Sequence, residues 1–248
     1  MTRVSLIVAA GSIVLATPAS AQSDSQIVFG IYYRCSQALE SRADEVVRGT
    51  LGPIAQRHVD SGALTSWNWL AHAQGGEWRR VFVTIGTDLG TQMETRAQIE
   101  QEFLERHSDE AAALTSACPS HDDYIWTGVA TSGPAATNVA GPASISAYHV
   151  CDRSRETRAD EIFTQVLAPL YKKHQDMGHI ATWNFSAHRM GGMFRRLETF
   201  SGADHMTLLN MQDAIFNEAI QTNPLAMQEL NQICSWHTDY MWESATQQ

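Results

Sequence analysis

The chain has 248 residues, a formal net charge of −10 and 44% hydrophobic residues. That acidic balance offers no basic stripe with which to neutralise phosphates, which argues against nucleic acid and anionic membrane surfaces as partners. Ordinary aliphatic and aromatic content argues against wholesale disorder and supplies apolar side chains for two small cores.

In chain order, the first segment is Met1-Thr2-Arg3, then an apolar run from Val4 to Ala16, then Thr17-Pro18 and Ala19-Ser20-Ala21. One positive charge, an apolar stretch too short for a bilayer and an A-x-A ending describe a cleaved secretory signal peptide over residues 1–21. Its loss removes Arg3 and takes the net charge from −10 to −11. No later segment is long and apolar enough to span a membrane, so a soluble periplasmic or secreted protein is expected.

The first module, residues 22–130, opens with an aromatic and β-branched run from Val28 to Arg34 that reads as a strand. Glu40 to His58 carries Val46, Val47, Leu51 and Ile54 at helical spacing and ends near Gly62. Leu64 to Ala73 and Trp78 to Ile85 are extended runs joined across Gln74-Gly75-Gly76-Glu77, where a glycine pair supplies the positive φ of a tight hairpin. Leu89 to Leu104 and Asp109 to Ala117 are helical in composition, and Asp123 to Val129 closes the module as a strand. Residues 131–143, rich in Ala, Gly and Pro, read as an exposed linker with the boundary near residue 138. The second module, residues 144–248, repeats the order from Ala147 to Trp242, with Pro224 interrupting its second helical region.

The repeat has a single register. Cys151 follows Cys35, and Cys234 follows Cys118, by the same 116 positions. That offset also carries Arg42-Ala43-Asp44-Glu45 onto Arg158-Ala159-Asp160-Glu161, Trp67-Asn68 onto Trp183-Asn184, and Arg79-Arg80 onto Arg195-Arg196. Roughly a third of positions match without a gap, which marks duplication. A βαββαβ order is the split, ferredoxin-like arrangement, an antiparallel four-stranded sheet with two helices on one face. Right-handed crossovers place its first strand beside its last. Cys35 ends the first strand and Cys118 precedes the last, so of three pairings only Cys35 with Cys118 and Cys151 with Cys234 respects both repeat and topology. A zinc site has no C-x-x-C element to rest on, and no metal site is expected.

On this element order and duplication the chain resembles the dimeric α+β barrel superfamily. The resemblance implies an α+β fold in which two tandem ferredoxin-like modules form a pseudo-twofold barrel, a pseudo-dimer within one polypeptide. Proteins of this kind include cofactor-free oxygenases, haem-handling enzymes and isomerases.

Strand alternation sorts the candidate site residues. Trp67, Trp69 and Ala71 share one face, and Asn68, Leu70 and His72 the other; in the second copy Trp183, Phe185 and Ala187 oppose Asn184, Ser186 and His188. The mixed polar set is expected to line the barrel. In the last strand His121 and Asp123 oppose Tyr124 and Trp126, and His237 and Asp239 oppose Tyr240 and Trp242, with the facing of the His-Asp side left open. The candidate ligand-binding set is Tyr32, Asn68, His72, Arg79, Arg80, His121 and Asp123, with Tyr148, Asn184, His188, Arg195, Arg196, His237 and Asp239 in the second copy. Histidine beside aspartate suits a general base with a fixed tautomer; the competing reading is a polar lining that satisfies itself by hydrogen bonds. Arg42, Asp44 and Glu45 read as a solvated helix face, and Tyr124, Trp126, Tyr240 and Trp242 as core.

The leading expectation is an exported protein that binds a small, partly apolar molecule between its two sheets. The alternatives are an oxidoreductase or monooxygenase-like enzyme, or a haem-handling one with His72, His188, His121 or His237 as axial ligand, and a non-catalytic envelope interaction protein.

Overall fold

The computed structural model describes residues 26–133 and 141–246, so the expected signal peptide and the boundary near residue 138 lie outside the described residues. The strands are β1 (Ile27–Arg34), β2 (Ser66–Gly75), β3 (Arg80–Gly86) and β4 (Ser120–Thr131), then β5 (Ala143–Val150), β6 (Thr182–Met190), β7 (Arg196–Gly202) and β8 (Trp236–Ser244). All eight close into one antiparallel barrel in the order β1-β3-β2-β8-β5-β7-β6-β4. Each half therefore has the same internal order, fourth strand, first, third, second. β1 pairs antiparallel with β4, and β5 with β8, as the crossover argument requires. The halves join through β2 with β8 and β4 with β6, which leaves no sheet edge open.

The first helical region is α1 (Glu40–Val46), a π-helical turn (Val47–Leu51) and α2 (Gly52–Asp60). The second copy repeats it as α5 (Glu156–Ile162), a π-helical turn (Phe163–Leu167) and α6 (Ala168–Asp176). Proline stands at the start of both α2 and α6. It has no N–H for the carbonyl four residues back and its ring crowds that carbonyl. The wide turn absorbs both problems: Gly52 N–H donates to Val47 O, five residues back, and Ala168 N–H to Phe163 O. Gly62 and Gly178 end these helices at φ of 81° and 77°.

Each second helical region is broken in two, α3 (Leu89–Arg106) with α4 (Ser108–Ala117), and α7 (His205–Thr222) with α8 (Pro224–Ile233). Pro224 was expected to cause the second break. The first copy breaks at the same place, at His107, without a proline, so Pro224 occupies a break the fold already has, at the helix position where its missing N–H costs least. Asp88 and Asp204 start α3 and α7 by accepting from Thr91 N and Thr207 N at 2.7 and 2.8 Å.

Both disulfides form within copies, Cys35 with Cys118 and Cys151 with Cys234. Trp67, Trp69, Phe82, Trp183 and Phe185 pack outward against helices in two cores, one per half. The third core fills the middle and one end of the barrel lumen with Tyr32, Trp78, Tyr124, Trp126, Tyr148 and their neighbours. Tyr124 and Trp126 stack at 5.0 Å, and Tyr240 and Trp242 at 4.9 Å.

The glycine hairpins bind the halves together. Gly75 lies at φ 111°, and an added Cβ there would stand 2.2 Å from Asp239 O of the other half. Gly76 lies against the Tyr240 hydroxyl, which accepts from Glu77 N at 3.0 Å. Gly75→Ala combines a strained backbone with that clash, and is expected to lower the unfolding free energy by about 2 to 3 kcal/mol in urea titration.

Candidate functional site

A cavity of about 430 Å³ lies in the first half between the outer sheet face and α3 and α4. Its walls are apolar: Phe29, Ile31 and Phe82 from the sheet face Ile99, Phe103 and Leu114 from the helices. Alternation in β1 and β3 aims these sheet side chains outward, while amphipathic spacing in α3 and α4 aims their partners inward. Cys118 and Pro119 line it too, so the disulfide pins the end of α4 to β1 beside the cavity.

Charge is confined to the mouth. His121 Nδ1 lies 3.3 Å from Asp123 Oδ1, and Arg96 lies 3.3 Å from Asp123 Oδ2. Arg96 also sits over the Phe29 ring, 5.5 Å from its centroid, and Glu100 joins the rim. His121 and Asp123 are 46% and 44% exposed, so the imidazole can exchange protons with solvent while facing a bound molecule. Tyr33, whose ring lies 5.5 Å from His121, is held neutral because burial pushes its hydroxyl well up.

In the second half one lining position and two positions of the first helical region carry larger side chains. Val47, Ala55 and Thr84 have as counterparts Phe163, Tyr171 and Phe200, all fully buried. Phe163 stacks on Phe185 at 3.8 Å, and Tyr171 lies 5.6 Å from Phe200. Glu198 replaces Phe82, buried, with its carboxylate accepting the Tyr171 hydroxyl and His149 Nε2 3.6 Å away. Burial, then Glu198, drives the Tyr171 hydroxyl well above its usual range.

The sequence-predicted residues divide among three places. His121 and Asp123 reach the helix-side mouth, and His237 and Asp239 pair at 3.2 Å on the equivalent outer face of the second half. Tyr32, Asn68, Tyr148 and Asn184 face the lumen. The rest form duplicated ion-pair clusters at the barrel end. Arg80 binds Asp44 through Nε at 2.7 Å, Arg196 binds Asp160 at 2.5 Å, and Arg79 and Arg195 reach the ring Nδ1 of His72 and His188, each at 2.6 Å. The constellation expected around Asn68, His72, His121 and Asp123 is thus not one site, because alternation sends His121 and Asp123 to the opposite face of the sheet from Asn68. Asp44, expected on a solvated face, is instead half-buried and accepts from Trp69 Nε1 at 2.7 Å. Arg96, Glu100 and Thr84 were not anticipated; the signal for them was the mismatch between copies at positions 84, 96 and 100.

Burial pushes the His72 and His188 imidazoles below their usual value, and the neighbouring arginines push the same way against the Gly75 and Gly191 carbonyls. The unfolded chain therefore takes up protons near pH 6.5 that the folded chain refuses, so stability is complete above that pH and falls as pH drops through it. Urea midpoints should fall between pH 7.5 and 5.5, and His72→Gln with His188→Gln should flatten that difference.

No protein-family model matches the chain, and no curated protein matches it significantly. Solved structures do match. A candidate monooxygenase from Fusobacterium nucleatum subsp. nucleatum superposes with a TM-score of 0.58 at 9% identity, over 89% of this chain and 93% of that one. A candidate monooxygenase from Lactobacillus acidophilus gives 0.54 at 5% identity, over 90% and 95%. An anthrone oxidase-like protein gives 0.52 at 11% identity, over 90% and 94%. The chain has the fold of the dimeric α+β barrel superfamily, with the barrel contained in one polypeptide. At these identities the likeness defines the fold and no narrower family within it.

Haem, which the fold class suggests, does not fit the helix-side pocket. The one imidazole among its lining residues stands at the rim, away from the apolar interior, and two carboxylates against one guanidinium would repel the propionates. Among the described residues no three His, Cys, Asp or Glu side chains converge to hold a metal ion, and no helix is long and apolar enough to cross a membrane.

Proposed function

We propose that this chain is an exported small-molecule-binding protein, built by duplication of a ferredoxin-like module, whose principal site is the helix-side pocket of the first half. The observation that carries this reading is the asymmetry of the two copies. One copy has a helix-side cavity with a polar rim, and at the position of its lining residue Thr84 the other copy carries the buried ring of Phe200. A cavity of this volume and lining belongs to the small-ligand class. Its occupant is a compact, mostly apolar molecule, aromatic or branched, with one polar group left at Arg96, His121 and Asp123. Export agrees with the signal-like leader, the two disulfides and the acidic surface.

A second reading, oxidation of that ligand with dioxygen as the co-substrate that accepts its electrons, is favoured by the monooxygenase and oxidase names of the superposed proteins. In that case His121, its tautomer fixed by Asp123, is the base that takes a proton from the polar end of the substrate.

Thermal melting with 2-naphthol tests the binding reading. At roughly 100 times Kd the linkage stabilisation is about 2.7 kcal/mol, which raises Tm by about 5 to 10 °C. Thr84→Phe imports the residue the second copy uses and fills the pocket. It should keep a cooperative melt and abolish the shift. No shift with 2-naphthol or comparable aromatic alcohols, or a shift retained in Thr84→Phe, overturns the proposal.

A further inference from the structure

The aromatic rings of the lumen fill its middle and one end; at the other end a separate cavity of about 410 Å³ remains. Three pairs of equivalent positions on its walls, one of each pair from each copy, have opposite chemistry. The first copy presents Val28, Val83 and Ile85, and the second presents Ser144, Thr199 and Ser201 at the corresponding positions. The register makes the contrast direct, because Val28 lies opposite Ile85 and Ser144 opposite Ser201. At the seam between halves, Asn184 donates Nδ2 to Ser186 Oγ at 2.7 Å, while its Oδ1 is buried with no donor. Among the described residues no Asp, Glu, Lys, Arg or His lines the cavity. The Tyr32 hydroxyl at its floor is pushed up to about 12 by burial and so stays neutral.

These features constrain an occupant from both sides. An ion would lose its hydration shell and meet no opposite charge, a cost of several kcal/mol. A pure hydrocarbon would strip water from the Ser144 and Thr199 hydroxyls and leave Asn184 Oδ1 without a donor, whereas Ser201 Oγ already meets Thr182 Oγ1 and Gly141 N. A neutral hydroxyl can donate to Asn184 Oδ1 while its carbon skeleton lies on the valine and isoleucine wall.

We propose that the open end of the lumen is a second binding site, selective for an uncharged alcohol with one apolar and one hydroxylated face. It is separate from the helix-side pocket, since neighbouring residues of β3, Val83 and Thr84, point to opposite faces of the sheet.

Calorimetric titration of the oxidised full chain at pH 7 tests this with para-menthane-3,8-diol as the neutral probe and perillate as the charged one. Each titration is repeated on Thr84→Phe, in which the helix-side pocket is filled. In Thr84→Phe the diol is expected to bind saturably and at least tenfold tighter than perillate. Thr199→Val with Ser201→Ile, which copies the first-half wall onto the second, should weaken the diol at least tenfold; Thr199→Val alone, nearly isosteric, should weaken it several-fold if the double variant fails to fold. Absence of saturable diol binding, equal affinity for perillate, loss of diol binding in Thr84→Phe, or unchanged affinity in the wall variants overturns the proposal. Absence of a 2-naphthol response in the unsubstituted chain, with diol binding intact, refutes the helix-side reading alone.

Discussion

Cys35→Ala with Cys118→Ala is expected to cost about 4 to 5 kcal/mol of unfolding free energy in the chain-entropy treatment of a loop this long. The bond joins residues 83 apart in sequence. Without it the unfolded ensemble regains the freedom the crosslink removes, and the folded chain loses the tie between β1 and the end of α4. The hydrogen bond from Ser36 N to Ala117 O, 2.8 Å, is the remaining local link. Cys151→Ala with Cys234→Ala closes the same loop length and should cost a similar amount of stability. The two variants should part in function. Losing the first bond loosens a pocket wall and should remove the 2-naphthol shift, whereas losing the second should preserve it at temperatures where the chain stays folded. Urea titration with melting in the presence of ligand reads both effects.

Arg80→Met should destabilise by about 3 to 5 kcal/mol, the range for removing one partner of a buried ion pair. Arg80 is 5% exposed and binds Asp44 through two nitrogens, at 2.7 and 2.8 Å, and Glu40 at 3.1 Å. The substitution takes the guanidinium from Asp44, while Glu40 keeps Arg79, whose Nε lies 2.6 Å away. Burial alone would raise the Asp44 carboxyl, but Arg80 and the Trp69 N–H more than offset this and hold it below its usual value. Its contribution is therefore present above about pH 4 and lost as pH falls below that. Two results follow. The gap between wild type and Arg80→Met should narrow toward acid pH, and Arg80→Met with Asp44→Leu should recover much of the loss, because an apolar pair replaces a charged one. A single-variant cost below about 1 kcal/mol would show that the cluster is solvated and contributes only as surface pairs do.

The fold was legible because its signals are periodic. Alternation in Val28 to Arg34, the apolar spacing of Val46, Leu51 and Ile54, and the glycine pair at 75 and 76 each fix a local structure, and the duplicated cysteines select one topology. The π-helical turns were not legible, since proline near the middle of a helical run reads equally as an end or a kink. The site was harder to read for a different reason. Residues that match between copies, such as His72 with His188 and Arg80 with Arg196, hold the barrel end together in both halves. The pocket includes positions where the copies differ, such as Thr84 against Phe200 and Glu100 against Phe216, so attention to the shared residues led away from it. Side-chain alternation correctly put Asn68 and Asn184 in the lumen. It could not say which face His121 and Asp123 take, because that depends on where helices α3 and α4 cover the sheet.

On the proposed reading, ligand enters the helix-side pocket of the first half and not the equivalent place in its twin. Methyl resonances report on this directly: Ile99 and Leu114 line the pocket, and Ile215 and Leu230 occupy the equivalent places in the second half. Titration with 2-naphthol should shift the Ile99 and Leu114 methyls saturably and leave those of Ile215 and Leu230 in place. Equal shifts in both pairs, or movement of the second pair alone, would contradict it.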